Sequence, residues 1–104
     1  MSSPKLYTLF AEDIIRITKA LRYKASRSIF KVLCRDGTVN ISGVVRKTGC
    51  KDSVALRYLR NLVEVGAVRE DWVGGNHVFS LQPGEVTSLL DEAVRLKEME
   101  ANGT

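Results

Sequence analysis

A mainly helical fold carrying one small β-hairpin is predicted by three observations. Two short amphipathic stretches with their own stop signals meet at Gly49, within residues 40–66. Directly after Gly66, the glycine pair Gly74-Gly75 with Asn76 separates two β-forming runs. Three further stretches with helical spacing of apolar residues lie around this middle part. The predicted order is α-α-β-α-α-β-β-α, in one domain. A chain of 104 residues holds one hydrophobic core and is too short for two.

The first helix is predicted over residues 4–23. It starts at Ser3-Pro4 and carries Phe10, Ile14, Ile17 and Leu21 on one face. The second is predicted over residues 26–35, with Ser26 as N-cap, Ile29, Val32 and Leu33 toward the core, and Cys34 on the buried side. Asp36-Gly37 ends it, and Thr38-Val39 is extended. Asn40 then caps a short helix whose Ile41, Val44, Val45 and Thr48 share a face. Gly49, having no Cβ to clash, suits the left-handed residue that ends it.

The next helix is predicted from Lys51 to Val65, stopped by Gly66. Steps of about 100° per residue put Ala55, Tyr58, Leu59 and Leu62 on its apolar face. Ser53, Arg57, Arg60 and Asn61 point the other way. The runs Ala67–Val73 and His77–Leu81 form the hairpin, because the favoured two-residue turns need positive φ and so select glycine and asparagine. Trp72 is expected to pack this hairpin against the helices. After Pro83-Gly84 a last helix to about residue 100 shows Val86, Leu89, Leu90, Ala93, Val94 and Leu96. The polar tail, Ala101 to Thr104, is expected to fray.

Two capped helices with a glycine turn, followed at once by a hairpin, make a winged helix-turn-helix. The helix-turn-helix occupies residues 40–66 and the wing residues 67–82. Such a unit puts its second helix, here residues 51–65, into the major groove of DNA.

At this point the chain resembles the ArsR-like winged-helix transcriptional regulators. The resemblance rests on Ala20-Leu21, Ile29-Phe30-Lys31-Val32-Leu33, Ile41-Ser42, Thr48-Gly49, Leu59-Arg60-Asn61-Leu62 and Val65-Gly66-Ala67-Val68. It implies a homodimer built from the first and last helices, with one recognition helix per half-site. On this chain the interface falls to Phe10, Ile14, Ile17, Val86, Leu89, Leu90, Ala93 and Leu96.

Charge is distributed to match. The net value is +4, yet between Arg16 and Arg69 thirteen Lys and Arg stand against Asp36, Asp52 and Glu64. From Glu70 onward seven acids face only Arg95 and Lys97. A basic block coinciding with the helix-turn-helix points to a polyanion partner, double-stranded DNA. Lys47, Lys51, Arg57 and Arg60 would supply phosphate charge, and Ser42 a neutral phosphate contact. Base reading would fall to Asp52, Ser53, Leu56 and Arg57, on the same outer side as Asn61. Arg57 pairs with guanine, Asp52 accepts from cytosine or complements the helix dipole, and Leu56 touches a thymine methyl or packs on a neighbouring helix. The wing tip has no Lys or Arg, and Glu70-Asp71 lie on its first strand, so its contact is limited to the backbone, Asn76 or His77.

Other chemistries find little footing. Cys34 and Cys50 have no CxC or CxxC spacing and the last helix has no histidine, so neither a metal site nor a cofactor is expected. No nucleophile-base-acid set or phosphate-cradling glycine loop occurs, and neighbouring acids such as Glu12-Asp13 and Asp91-Glu92 diverge on a helix. An enzyme is not expected. With neither an apolar run of membrane-spanning length nor a signal-peptide pattern, the expected location is cytoplasmic, at the nucleoid. The sequence supports a dimeric DNA-binding transcription regulator first. The alternative is a winged-helix protein-interaction module or a non-specific chromatin-associated DNA-binding protein.

Overall fold

The computed structural model describes residues 20–102, with side chains through residue 100. The predicted first helix, with Phe10, Ile14 and Ile17, therefore lies outside the described residues except for its end. There Ala20 and Leu21 are helical and buried, and the chain bends at Arg22-Tyr23. The described elements are α1 (Lys24–Asp36), β1 (Thr38–Asn40), α2 (Ile41–Thr48), α3 (Asp52–Glu64), β2 (Val68–Val73), β3 (Asn76–Leu81) and α4 (Glu85–Asn102). This is the winged helix-turn-helix order expected from the sequence.

Local chemistry accounts for most boundaries. Asn40 has extended backbone and its side chain accepts a hydrogen bond from the Gly43 N–H at 2.7 Å, satisfying one orphan donor of α2. Gly49 ends that helix at φ 78° and ψ 6°, and its N–H donates to the Val45 carbonyl. Only three residues, Gly49 to Lys51, separate α2 from α3. Helix α1 starts earlier than expected, because the Tyr23 carbonyl already accepts from the Arg27 N–H. Ser26 is consequently inside the helix and buried, without a partner for its hydroxyl, and not an N-cap. Helix α4 continues through Asn102, so the expected polar tail is helical at its first two residues.

The sheet has three antiparallel strands in the order β1-β3-β2. The sequence suggested a hairpin with one stray extended segment; that segment adds to the sheet by pairing Val39 with Phe79. Asn76 lies in strand and pairs with Val73, leaving Gly74-Gly75 as the two-residue turn. Both glycines have positive φ, the conformation this tight turn requires.

One core joins these elements. Ile29, Phe30 and Leu33 of α1 meet Val44, Leu59, Leu62, Phe79 and Leu90, all essentially sealed from solvent. Burying each such side chain stabilises the fold by about 1.5–3 kcal/mol before entropy is counted. Cys34 is exposed, contrary to expectation. It falls roughly 100° from the centre of the buried stripe of α1, which is the edge of that face. Trp72 is also not packed on the helices: it is 69% exposed. Its strand register puts it on the same side as Val68 and Glu70, but β1 supports only residues 78–80 of β3, and the hairpin projects beyond the core. Among the described residues, no helix is long and apolar enough to cross a membrane.

Candidate nucleic-acid interface

Helix α3 is held from one side only. Ala55, Tyr58, Leu59 and Leu62 are buried, whereas Lys51, Asp52, Ser53, Arg57 and Arg60 are exposed. The apolar side fixes the helix in place and leaves the polar side open along its first turns. The Lys51 carbonyl accepts from the Ala55 N–H at 2.9 Å, but the start of α3 has no side-chain cap. Asp52 stands in that first turn, where a carboxylate complements the helix dipole. Leu56 is half-buried against the core, in line with its packing role more than with an outward one. Asn61 is also half-buried.

The predicted cations differ in their neighbours. The Arg57 guanidinium lies over the Tyr58 ring, 5.2 Å from its centroid. Arg60 donates to Glu70 Oε2 on β2 at 3.1 Å. Lys47 pairs with Asp36 at the end of α1. Ser42 donates to Asn40 Oδ1 at 3.2 Å, so its hydroxyl serves the α2 cap. Lys51 is exposed, with no ion-pair partner among the described residues.

In the wing, Asn76 is exposed beside the turn. His77 is not an ordinary surface residue. Its ring stacks on Trp72 at 4.4 Å and 8°, sits 4.7 Å from Phe79, and brings Nε2 to 2.6 Å from Glu70 Oε2. Glu70 therefore connects α3 to the wing, since the same oxygen serves Arg60 and His77. The Arg60 hydrogen bond, followed by that of His77, holds the Glu70 carboxyl below the usual glutamate range. Lys47, with Arg35, holds Asp36 low in the same way. Sequence spacing had no means of pairing Arg60 with Glu70, because the contact depends on how the hairpin turns back across α3.

The last helix divides its apolar residues. Leu90 and Val94 are buried within the chain, so Leu90 belongs to the core and not to a surface open to a partner. Val86 and Ala93 are partly buried against that core. Leu89 and Leu96 are exposed, together with Met99, which the spacing of apolar residues did not single out. Lys31 of α1 and Glu98 of α4 form an ion pair at 2.7 Å.

The cysteines stand apart: Cys34 is exposed on α1 and Cys50 half-buried in the turn before α3. Partial desolvation, and secondly the Asp91 carboxylate, push the Cys34 thiol up, away from thiolate chemistry.

No protein-family model matches the sequence, and no curated protein sequence matches it. Solved structures do match the fold. A homodimeric winged helix-turn-helix DNA-binding domain from Mycobacterium bovis, described as a possible ArsR-family transcriptional regulator, is 18% identical over 99% of this chain and 94% of its own, with a TM-score of 0.73. The antimony-specific transcriptional repressor AntR is 20% identical over 90% of this chain and 84% of its own, at 0.69. The transcriptional repressor BigR from Xylella fastidiosa is 14% identical over 91% and 96%, at 0.68. At these identities the likeness shows a shared fold, that of ArsR-family winged-helix transcriptional regulators.

Proposed function

We propose that the protein is a DNA-binding transcription regulator acting as a homodimer, with α3 entering the major groove. The observation that carries this is the division of α3: one side sealed in the core, the other presenting Lys51, Asp52, Ser53, Arg57 and Arg60 to solvent. Lys47, Lys51, Arg57 and Arg60 supply phosphate charge, which steers the protein to DNA and makes affinity fall with salt. Arg57, its guanidinium oriented by the Tyr58 ring it lies over, is the base-reading residue, its edge matching guanine O6 and N7. Asp52 and Ser53 read alongside it. Ser42 and Asn61 border this surface, and Leu56 contributes through the position of the helix. The solved neighbours support the reading through their fold, and one of them is itself homodimeric.

Dimerisation uses the apolar face of the last helix. Leu89, Leu96 and Met99 are exposed on it, with Val86 and Ala93 at its border and the first helix, including Phe10, Ile14 and Ile17, completing the interface. A regulator of this design acts on DNA inside the cell, at the nucleoid, and needs no catalytic group or cofactor. A second reading, a winged-helix module that binds protein, is favoured by one observation: Trp72 and Val73 are both exposed, on opposite faces of a wing strand that also carries Glu70 and Asp71.

Selection of bound fragments from random duplex DNA separates the two. Enrichment of a defined, roughly palindromic motif is expected. Absence of any enriched motif refutes sequence-specific regulation and leaves the protein-binding or non-specific reading.

A further inference from the structure

We infer that Arg22, on the bend before α1, and Lys24, the first residue of α1, form a second phosphate-binding strip beside α3, extending the DNA contact outward from the groove-reading residues. The inference deepens the DNA-binding reading and rests on it. Its basis is a chain of neighbouring rings and cations. The Arg22 guanidinium lies 5.7 Å from the Tyr23 ring centroid, Tyr23 packs against Tyr58 at 6.0 Å, and Arg57 covers Tyr58 at 5.2 Å. Two arginines from distant parts of the sequence are thus joined across a pair of tyrosines. One of them belongs to the outer face of α3.

The arrangement suits phosphate. A guanidinium lying over an aromatic ring is held in orientation by that ring while its N–H edges stay free for oxygen acceptors. Tyr23 is half-exposed, and Arg22, Lys24 and Arg57 are exposed. The bend at Arg22-Tyr23, leading into Lys24 at the start of α1, is fixed, since Arg27 donates from its side chain to the Leu21 carbonyl at 2.8 Å and from its backbone to the Tyr23 carbonyl. Among the described residues, none of Arg22, Lys24 and Arg57 has an ion-pair partner. By contrast Lys31, Lys47, Arg60 and Arg69 each lie against an acid of this chain. The strip therefore presents uncompensated positive charge on a rigid support, adjoining the helix that meets DNA. Double-stranded DNA, with its regularly spaced phosphates, is the polyanion it fits.

The test measures affinity for a selected DNA fragment as a function of salt, for the full chain and three variants. Wild type gives a linear fall of log affinity with log salt. Arg22→Ala/Lys24→Ala is expected to make that slope shallower by about 1.8 per bound protomer, because two phosphates per protomer are no longer neutralised. The sequence preference stays unchanged. Arg22→Lys/Lys24→Arg keeps both charges and is expected to keep the slope. Arg95→Ala/Lys97→Ala, which removes the same charge from α4, is expected to leave it nearly intact. An unaltered slope in Arg22→Ala/Lys24→Ala, or an equal loss in the α4 variant, overturns the strip while leaving DNA binding standing. Failure of wild type to bind any duplex overturns both.

Discussion

Single residues set the ends of the helix-turn-helix. The Asn40 side chain accepts from the Gly43 N–H and also from the Ser42 hydroxyl, so its loss leaves two donors of the first turn unserved. Asn40→Ala is expected to lower stability by about 1 kcal/mol, read from urea denaturation as a lower midpoint at unchanged slope. Glu70 gives a second test, through pH. Its folded pKa lies below the ordinary value because Arg60 and His77 favour the carboxylate. A depressed acid contributes stability above its unfolded pKa, roughly 4.3, and that contribution is lost as pH falls through the folded value. Glu70→Gln is therefore expected to flatten the decline of stability below about pH 4.3, seen in thermal melts from pH 6 to 3; an identical decline contradicts the Arg60–Glu70–His77 link. Asn40 and Gly49 were legible in the sequence because capping and positive φ are local requirements. Glu70 was not, because its partners Arg60 and His77 are ten and seven residues away. They meet it only once β2 and β3 pair and the sheet lies against α3.

At the scale of elements, periodicity carried most of the information. The stripes Ile29–Val32–Leu33 and Ala55–Tyr58–Leu59–Leu62 are buried as the 3.6-residue repeat demands. Leu62→Ala should cost about 2–5 kcal/mol, since it opens a cavity in a sealed site. Trp72→Ala should cost far less, under about 1 kcal/mol, although tryptophan is the larger side chain, because it stands outside the core. Comparing the two by urea denaturation tests where the core ends; an equal loss contradicts the projecting wing. Periodicity has a physical limit as well. It identifies which face a residue occupies and not how far a neighbouring element extends over that face. Trp72 lies on the core side of β2 but past the support of β1, and Leu90 lies on an apolar face whose inner part the chain covers itself. Ser26 misled for a simpler reason: a serine fits an N-cap, and also fits where a small side chain must be buried.

For the whole molecule, charge and shape act together. Within the described residues the basic block is carried mainly by α1, the bend before it and the helix-turn-helix, while the acidic end is carried by the wing and α4. That separation was legible from the sequence, and it is the charge pattern on which the proposed DNA-binding function rests. Leu89, Leu96 and Met99 are exposed on α4, and the proposed dimer would cover them. Light scattering at tens of micromolar is expected to give twice the chain mass, and Leu96→Glu to give the single-chain mass; a monomeric wild type contradicts the dimer.

The most direct test of DNA recognition by α3 is a mobility-shift titration of a selected duplex with wild type, Arg57→Ala and Arg60→Ala. Wild type should bind with an affinity that falls steeply with salt. Arg57→Ala should lose about 1–3 kcal/mol and relax discrimination at one base pair. Arg60→Ala should lose affinity evenly across sequences. Unchanged affinity in both variants would contradict the account, because the exposed side of α3 would then not be the surface that meets DNA.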